Sequence, residues 1–360
     1  MNLTGLAESF VKNISVIAKE NNPQYKVTPV GFLQMLLENP VTYEISNLKQ
    51  IRDGHEHSLK FRYMQRGLES DVTDRDDCLT PLSPLWKETT ITRPFFSKIG
   101  ISIPDSVIRS WDSEASQKLG IGSPTAQIMT GLYETALVKI NGLLQKIDAN
   151  LLSAQTAAWG VNAETGLNTA RTVNFANIPV MNDGIVRLLQ DYQSNEMNGT
   201  PLIVGNGIVS SYNLLQSLKI STDTGGFGSN PTFKMYNDPR STGIWGANHF
   251  GVFAPGFTGF VDFNKYVGGF SNDTGSSVKF LLPVPVLLAN GELSSLVFDA
   301  QLKNEPCNIY DEENELIVKE GWALILSKSY GLFNSPNDLF ATGDRLAGVN
   351  GAFHYLGTAV

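Results

Sequence analysis

The segment GSPTAQIMTGLYETALVKINGLLQKIDANLLSAQTAAWG constrains the fold more than any other part of the sequence. Ser123 is a favourable N-cap, and Pro124 suits the first helical position. Apolar or small residues then recur every three or four positions until Gly160, which we expect to end the helix in a left-handed conformation. The spacing predicts one amphipathic helix over 123–159, roughly three times the average length of a globular helix. Neither a heptad repeat nor a second long helix flanks it, so we expect the spine of a flat, elongated subunit.

A long, half-polar hairpin is predicted before this helix, in VTYEISNLKQIRDGHEHSLKFRYMQRG. Apolar and polar residues alternate over 41–45 and again over 59–63, and Asp53 and Gly54 between them are typical of a hairpin turn. Because two strands alone are marginal in water, we expect the hairpin to lie along the body of its own chain or along a neighbouring subunit.

Shorter elements are predicted along the rest of the chain from the same periodicities. Residues 68–86 are acidic and rich in turn formers. The predicted elements are helices at 3–20, at 29–38, near Asp105 and at 185–192, a strand through Ile99, Ile101 and Ile103, a strand, turn and helix over 201–218, pairs of strands at 278–302 and 307–318, and a buried strand at 321–333.

The chain is weakly charged and rich in turn residues, which limits the partners that we expect. Only 17% of its 360 residues are charged, its formal net charge is -8, and it has 33 glycines. We find no run of basic residues, so tight and direct binding to DNA is not expected, although a surface can still face DNA. The N-terminus lacks the pattern of a signal peptide, and the longest apolar run, FLLPVPVLLA, is about half a membrane span and contains two prolines. We therefore expect a soluble protein made in a cytoplasm.

One stretch, PLIVGNGIVSSYNLLQSL, partly matches the fingerprint of a dinucleotide-binding fold. Gly205 and Gly207 take the first two glycine positions, but Ser210 stands where glycine or alanine is expected. Asp223 lies near the spacing of a ribose-binding acid, yet inside the loop-like STDTGGFGSN. The sequence before it also lacks alternating strands and helices, so we favour a tight turn between a strand and a helix. No G-x-S-x-G elbow, H-E-x-x-H helix or P-loop occurs in the sequence.

The histidines do not predict a metal site. His55 and His57 flank Glu56 and lie on one side of an extended strand, as a metal requires, but they also lie where a solvated hairpin tip is expected. His249 and His354 have no partner at ligand spacing. We therefore favour solvated histidines at the tip.

The cysteines and the acidic run give no stronger signal. Cys78 and Cys307 are the only cysteines, which excludes a disulfide framework and a cysteine-rich zinc site, and we expect buried thiols. The acidic run lacks the glycine and glutamate of an EF-hand loop, so we favour a solvated loop over weak calcium binding. Its aspartates are Asp71, Asp74, Asp76 and Asp77.

The order of elements resembles the major capsid proteins of tailed bacteriophages, which share the Hong Kong 97-like fold. An N-terminal arm and a long hairpin lead into one very long helix, then a helix, a strand and a helix. A loop-rich region with FAPGFTGFVDFN and a late strand ending in GLFNSPNDLFATGD follow. The resemblance implies an α+β fold with the following parts: N-arm 1–38, E-loop 39–92, P-domain 93–165 with the spine helix 123–159, A-domain 166–274, return strands of the P-domain 275–345, and C-terminal tail 346–360.

The resemblance also implies a structural protein that is not an enzyme. It would assemble with copies of itself into hexamers and pentamers, bound through the E-loop and N-arm, and form the icosahedral virion shell in the host cytoplasm. Scaffolding, portal or decoration proteins would be separate partners, encapsidated DNA would be near by non-specific proximity only, and no membrane is involved. We assign no catalytic, cofactor-binding or metal-binding residue and no cofactor. Some members are cross-linked by a Lys–Asn isopeptide bond, but no motif pairs Lys49 or Lys60 with Asn350.

Two alternatives stay open at this point. One is an encapsulin-like cellular shell protein, and the other is a nucleotide-dependent oxidoreductase with a degenerate fingerprint at 205–210.

Overall fold

The computed structural model describes residues 7–8, 11, 27–42, 44–47, 58–66, 86–92, 95–104, 124–174, 178–207, 233–266, 269–272, 277–288, 291–304, 307–310, 316–319 and 321–358. Its helices are α1 (Gly31–Glu38), α2 (Pro124–Thr156), α3 (Ile178–Ser194) and α4 (Ser241–Ile244). Its strands are β1 (Ser58–Met64), β2 (Trp86–Thr92), β3 (Phe95–Pro104), β4 (Arg171–Asn174), β5 (Leu202–Gly205), β6 (Lys234–Asn237), β7 (His249–Phe253), β8 (Thr258–Phe263), β9 (Ser271–Asn272), β10 (Ser277–Leu287), β11 (Leu293–Asn304), β12 (Cys307–Tyr310), β13 (Leu316–Lys319), β14 (Gly321–Asn334) and β15 (Ala352–Thr358). The predicted α+β class is confirmed.

The long predicted helix is confirmed as α2, with 33 residues and a length of about 50 Å. Its inward positions are almost inaccessible to solvent, as Ala136, Ile140 and Leu151 are each 0% exposed. The predicted end is wrong: α2 ends at Thr156, and Gly160 does not have a positive φ angle. The reason for glycine there is close packing, because a Cβ atom would overlap the side chain of Asn350.

The chain divides into two units. Unit 1 comprises Met1–Pro29, Phe95–Ile147 and Asp262–Tyr330, and unit 2 comprises Val30–Pro94, Asp148–Val261 and Gly331–Val360.

Unit 1 contains an antiparallel sheet with the strand order β3-β14-β11-β10-β9. The strands predicted through Ile99 and within 278–302, 307–318 and 321–333 are confirmed. Along β10, alternate residues from Val278 to Val286 point inward and are nearly inaccessible.

At the two prolines of FLLPVPVLLA, no strand among the described residues pairs with the side of β10 that faces away from β11. β9 pairs only with the start of β10, so Pro283 and Pro285 lie beyond it. Leu287 follows Pro285 by two positions, so its N–H points to the same side of β10 as the two proline nitrogens. This N–H points away from β11 and donates to Val27 O at 2.9 Å. A proline on that side removes no hydrogen bond of the β10–β11 ladder. The apolar run is therefore a sheet strand, and in the part of the chain that is described no helix is long and apolar enough to cross a membrane.

Buried charges in unit 1 have partners. The Lys328 side chain is 1% exposed, and its Nζ lies 2.6 Å from Asp262 Oδ2 and 2.5 Å from Val297 O. The Asp299 carboxylate accepts the backbone N–H groups of Lys265 and Tyr266. Because an unpaired buried charge is costly, these contacts explain how a lysine and an aspartate stay inside a sheet protein.

Unit 2 contains a mixed sheet with the strand order β4-β15-β7-β5-β6. β15 is parallel to β4 and antiparallel to β7, and β5 is antiparallel to β7 and parallel to β6. The helix predicted at 185–192 is confirmed as α3, and the strand predicted at the start of 201–218 is confirmed as β5. The helix predicted at the end of 201–218 lies outside the described residues. The C-terminal tail predicted at 346–360 contains β15, which lies inside this sheet, and Phe353 and Tyr355 belong to its core.

Two aspartates that are distant in sequence hold the start of helix α1 within unit 2. Asp238 accepts the N–H of Phe32 and Asp148 accepts the N–H of Leu33, both at 2.9 Å. These bonds satisfy two N–H groups that a helix leaves free at its start. Gly31 has a φ angle of 59° and its Cβ would overlap the Asp238 carboxylate, so glycine is required at this position.

Candidate functional site

The hairpin has a different second strand from the one predicted. β1 was expected over 59–63 and is confirmed, but it pairs antiparallel with β2, from Ser58 opposite Thr92 to Met64 opposite Trp86. Among its described residues, the predicted partner segment 41–45 provides one bridge, between Ile45 and Phe61. The predicted turn at Asp53 and Gly54 lies outside the described residues.

The side chain of Asn47 limits pairing on that side of β1. Its Nδ2 donates to Ser58 O at 2.6 Å, and its Oδ1 accepts the N–H of Lys60 at 2.9 Å. An amide side chain thus occupies the edge where a longer strand would pair. Asparagine readily forms such local bonds to the backbone, which favours turns over continuous strands.

The inner face of the hairpin packs against residues 331–340 of unit 2. Leu59 is 0% and Phe61 is 1% exposed, and the Phe61 ring lies 5.3 Å from the Phe333 ring. A Cβ on Gly331 would lie 3.6 Å from Ile91 and 3.7 Å from Leu59, so the hairpin lies directly over this glycine. One face of the two-stranded sheet is therefore covered by its own chain.

Polar contacts on Asp338 fix the same end of the hairpin. The Tyr63 hydroxyl donates to Asp338 Oδ1 at 2.5 Å, Lys87 Nζ lies 3.0 Å from Oδ2, and Gln65 Nε2 donates to the Asp338 carbonyl at 2.8 Å. The hydrogen bond from Tyr63, followed by the contact with Lys87, lowers the pKa of Asp338. Burial and then Asp338 raise the pKa of Tyr63, so both groups keep their neutral-pH forms.

A second group of contacts holds Arg66, two residues after β1. Its N–H donates to Leu339 O at 2.9 Å, and its guanidinium lies 5.5 Å from the Phe340 ring centroid and 3.0 Å from Glu196. Arg345 also contacts Glu196 at 3.0 Å. Hydrogen bonds from Arg345 and then Arg66 lower the pKa of Glu196.

The opposite face of the hairpin is exposed, and we call it the outer hairpin face. It consists of Lys60, Arg62, Met64, Trp86, Glu88 and Thr90. Met64 and Trp86 face each other across the strands and are 50% and 60% exposed, and Arg62 Nε lies 3.4 Å from Glu88. An open cavity of about 520 Å³ adjoins this face and is lined by Glu44, Arg62, Trp86, Lys87 and Glu88. An exposed tryptophan among charges is typical of a protein-contact surface.

The strand and turn at Gly205 do not form a nucleotide site of the expected kind. Gly205 ends β5 opposite Asn237 and Phe250, and Gly207 makes the turn with a φ angle of 59°. Ser210 and Asp223 lie outside the described residues. Because antiparallel β7 lies beside β5, the sheet is not the doubly wound parallel sheet that binds dinucleotides.

His249 and His354, which have no partner at metal-ligand spacing in the sequence, contact each other in the structure. His249 Nδ1 lies 2.9 Å from His354 Nε2, across 105 positions of sequence, and His354 stacks on Trp159 at 4.6 Å. Burial and then His249 lower the pKa of His354 to about 4, and burial lowers the pKa of His249. No sequence spacing could have found this pair, because adjacent strands β7 and β15 bring it together.

Of the other candidate residues, those that the structure describes form no site. His55, His57 and Cys78 lie outside the described residues, as do Lys49 and the run from Asp71 through Asp74 and Asp76 to Asp77. Cys307 begins β12. The Asn350 amide donates within the fold, to Ala158 O and Asn337 Oδ1, and Lys60 lies on β1. Within the described ranges, no group of three or more His, Cys, Asp or Glu residues could hold a metal ion.

Comparisons with known proteins give similarity at the level of structure. No family model and no curated protein matches the chain. The chain is similar to the capsid structure of the cyanophage P-SCSP1u at 13% identity and a TM-score of 0.46, with 95% of this chain and 92% of that chain covered. It is similar to a structure from Mycobacterium phage Adephagia at 10% identity and a TM-score of 0.44, with 97% and 98% covered. A third similar structure is the asymmetric unit of the mature capsid of bacteriophage PhiM1, at 10% identity and a TM-score of 0.37, with 85% and 83% covered. Because these identities and TM-scores are low, we rest the functional proposal on the chain's own contacts.

Proposed function

We propose that this protein is the major capsid protein of a tailed bacteriophage, which assembles with copies of itself into the icosahedral head around a double-stranded DNA genome. The observation that carries the proposal is the hairpin of β1 and β2. Its inner face is covered by residues 331–340, and its outer face exposes Met64 and Trp86. A subunit that must bind a neighbour needs such a face.

We further propose the subdivision of the Hong Kong 97-like fold. The N-arm is residues 1–38, the E-loop 39–92 and the A-domain 166–274. The P-domain is 93–165, with the spine helix, and 275–345. This subdivision is supported by the position of α2, by the antiparallel sheet of β3, β14, β11 and β10, and by the mixed sheet that contains β4 to β7. We propose that 346–360 completes the A-domain sheet through β15.

The proposed mechanism is assembly rather than catalysis. When each copy binds the next through two different surfaces, the copies form a ring if the rotation from one copy to the next adds up to a full turn. The hairpin and the N-arm would then join hexamers and pentamers in a virion shell. Separate scaffolding, portal or decoration proteins are proposed partners, and the net charge of -8 suits a shell that must not trap its DNA.

The test is the size of the expressed protein, measured by size-exclusion chromatography and negative-stain electron microscopy. We expect capsomers or closed particles of hundreds of kilodaltons, which means about five or more copies of a 39.3 kDa chain. A monomer or small oligomer that a nicotinamide cofactor stabilises would overturn the proposal. Particles whose gene lies outside a phage genome and that enclose a protein cargo would instead support an encapsulin-like shell.

A further inference from the structure

We propose that the cavity beside the outer hairpin face receives a cationic side chain from a second copy of this chain, an inference that rests on the proposed function. The cavity is lined by Glu44, Arg62, Trp86, Lys87 and Glu88 and has a volume of about 520 Å³. That volume lies in the range of cavities that hold a small ligand, so a single side chain fits.

Some of the charged side chains that line the cavity already have partners within the described part of the fold, and one does not. Lys87 is held by Asp338 at 3.0 Å, and Arg62 lies 3.4 Å from Glu88. Glu44 is exposed and has no hydrogen-bond or ion-pair partner among the described residues. Among the described residues, Glu44 is therefore the lining charge that the internal pairs leave without a partner, and its negative charge attracts a cation.

Trp86 adds a second element of cation recognition. Its side chain is 60% exposed, and the face of an indole ring attracts a lysine or arginine cation that lies within about 6 Å. A carboxylate beside an exposed indole binds a cation better than it binds an apolar or anionic group. This chemistry selects a positively charged side chain as the occupant.

A second copy can supply that cation. Lys139 and Lys146 are exposed on α2, and Arg187 is exposed on α3. The inner hairpin face is already covered, so the outer face is the side of the hairpin that remains for a neighbouring copy. Repetition of this contact in each copy would add its small energy many times in a shell.

The experiment compares the assembly of four full-length chains: wild type, Glu44→Gln, Trp86→Ala and the double variant. Light scattering gives the lowest protein concentration at which capsomers or particles form. We expect each single variant to raise this concentration roughly two- to fivefold, as an exposed ion pair or cation–π contact predicts. The double variant should raise it by less than the product of the two, because both side chains act on the same cation. The effect of Glu44→Gln should also shrink as salt increases.

Matched controls separate this contact from a general effect of charge. Glu164 is another exposed carboxylate of unit 2 and lies outside the cavity, so Glu164→Gln should assemble like the wild type. Glu44→Lys should assemble worse than Glu44→Gln, because it repels the incoming cation. Far-UV circular dichroism and thermal unfolding should match the wild type in all variants, since these side chains are exposed.

Each contrary result has a distinct meaning. If Trp86→Ala weakens assembly but Glu44→Gln does not, the occupant is apolar and the inference is wrong. If the wild type forms particles and none of the variants changes the concentration, the cavity is not an interface, although the proposed capsid function survives. If the wild type does not self-associate at any concentration, both the proposed function and this inference are overturned.

Discussion

Replacement of Asp148 by asparagine should change how the stability of the protein depends on pH. Asp148 is 1% exposed, accepts the N–H of Leu33 at 2.9 Å and lies near the carboxyl group of Asp238, which is 0% exposed. Burial, followed by the charge of Asp238, raises the pKa of Asp148 to about 8, against a smaller opposing effect from Arg240 at 3.2 Å. The buried Asp148 carboxyl group thus keeps its proton up to about pH 8, near the start of α1.

The sign and size of the effect follow from proton counting. The folded state keeps a proton on Asp148 that the unfolded state, with an ordinary pKa of 3.8, has released. This group's contribution to stability is fully present below the unfolded pKa and is lost as pH rises through the folded pKa. Between these values, one extra proton in the folded state lowers the free energy of unfolding by about 1.4 kcal/mol per pH unit. In Asp148→Asn, the amide oxygen can still accept the N–H of Leu33 and the amide nitrogen can donate to Asp238, but the side chain does not titrate.

The assay is denaturant unfolding of the unassembled protein, followed by tryptophan fluorescence from about pH 5 to about pH 7.5, a window between the two pKa values. The wild type should lose about 1.4 kcal/mol per pH unit more than Asp148→Asn. Asp338→Asn is the control: the pKa of Asp338 is lowered, so its contribution is lost only as pH falls below this window. If plots of the free energy of unfolding against pH were parallel for wild type and Asp148→Asn, the raised pKa of Asp148 would be refuted.

Three further predictions concern the buried face of the hairpin, the role of two glycines and the pH dependence that His354 causes. Phe61→Ala removes a ring that is 1% exposed and should lower the free energy of unfolding by about 3–5 kcal/mol, whereas Thr90→Ala on the outer face should change it by less than about 0.5 kcal/mol. Equal losses in denaturant titrations would contradict the assignment of the two faces. Gly142→Ala, at an exposed helical position with no atom within 4 Å of the new Cβ, should stabilise by about 0.5–1 kcal/mol, while Gly31→Ala should destabilise by more than about 1 kcal/mol. Thermal shifts of the same sign for both would be inconsistent with this difference. Burial and then His249 lower the pKa of His354, so its neutral form stabilises the fold, and this stability is lost as pH falls from about 6.5 to about 4. His354→Gln should reduce this loss. An NMR titration that places the pKa of His354 near its ordinary value would contradict the prediction.

Local periodicity predicted the elements that lie within one stretch of sequence. The helix α2 and strands β10, β11 and β14 have an inward face that repeats at the helical or strand period, so their positions follow from the pattern alone. The end of α2 did not follow, because Gly160 responds to Asn350, which is remote in sequence.

Pairings between distant segments were not predictable in the same way. The residues before β1 alternate like a strand, but Asn47 occupies the edge of β1, and β2 pairs with β1 instead. The run of β-branched residues at the end of WKETTIT, which favours a strand, is a signal that could have identified β2. Nothing local indicated that Asp338 would accept bonds from the hairpin, or that His249 and His354 would meet, since each contact depends on how strands are arranged in space.

The apolar contacts of the hairpin contribute most of its stability, whereas its polar contacts fix its orientation. Leu59 and Phe61 are buried, and each such side chain contributes about 1.5–3 kcal/mol. The ion pair of Lys87 with Asp338 involves side chains that are 38% and 54% exposed, so it contributes about 1 kcal/mol or less. Three donors nevertheless converge on Asp338 and two arginines on Glu196, which restricts the orientation of the strand ends that carry Met64 and Trp86. Rings of identical copies close only if every copy presents its contact surface at the same angle. Weak but convergent polar contacts at the end of the hairpin are therefore what the proposed assembly requires.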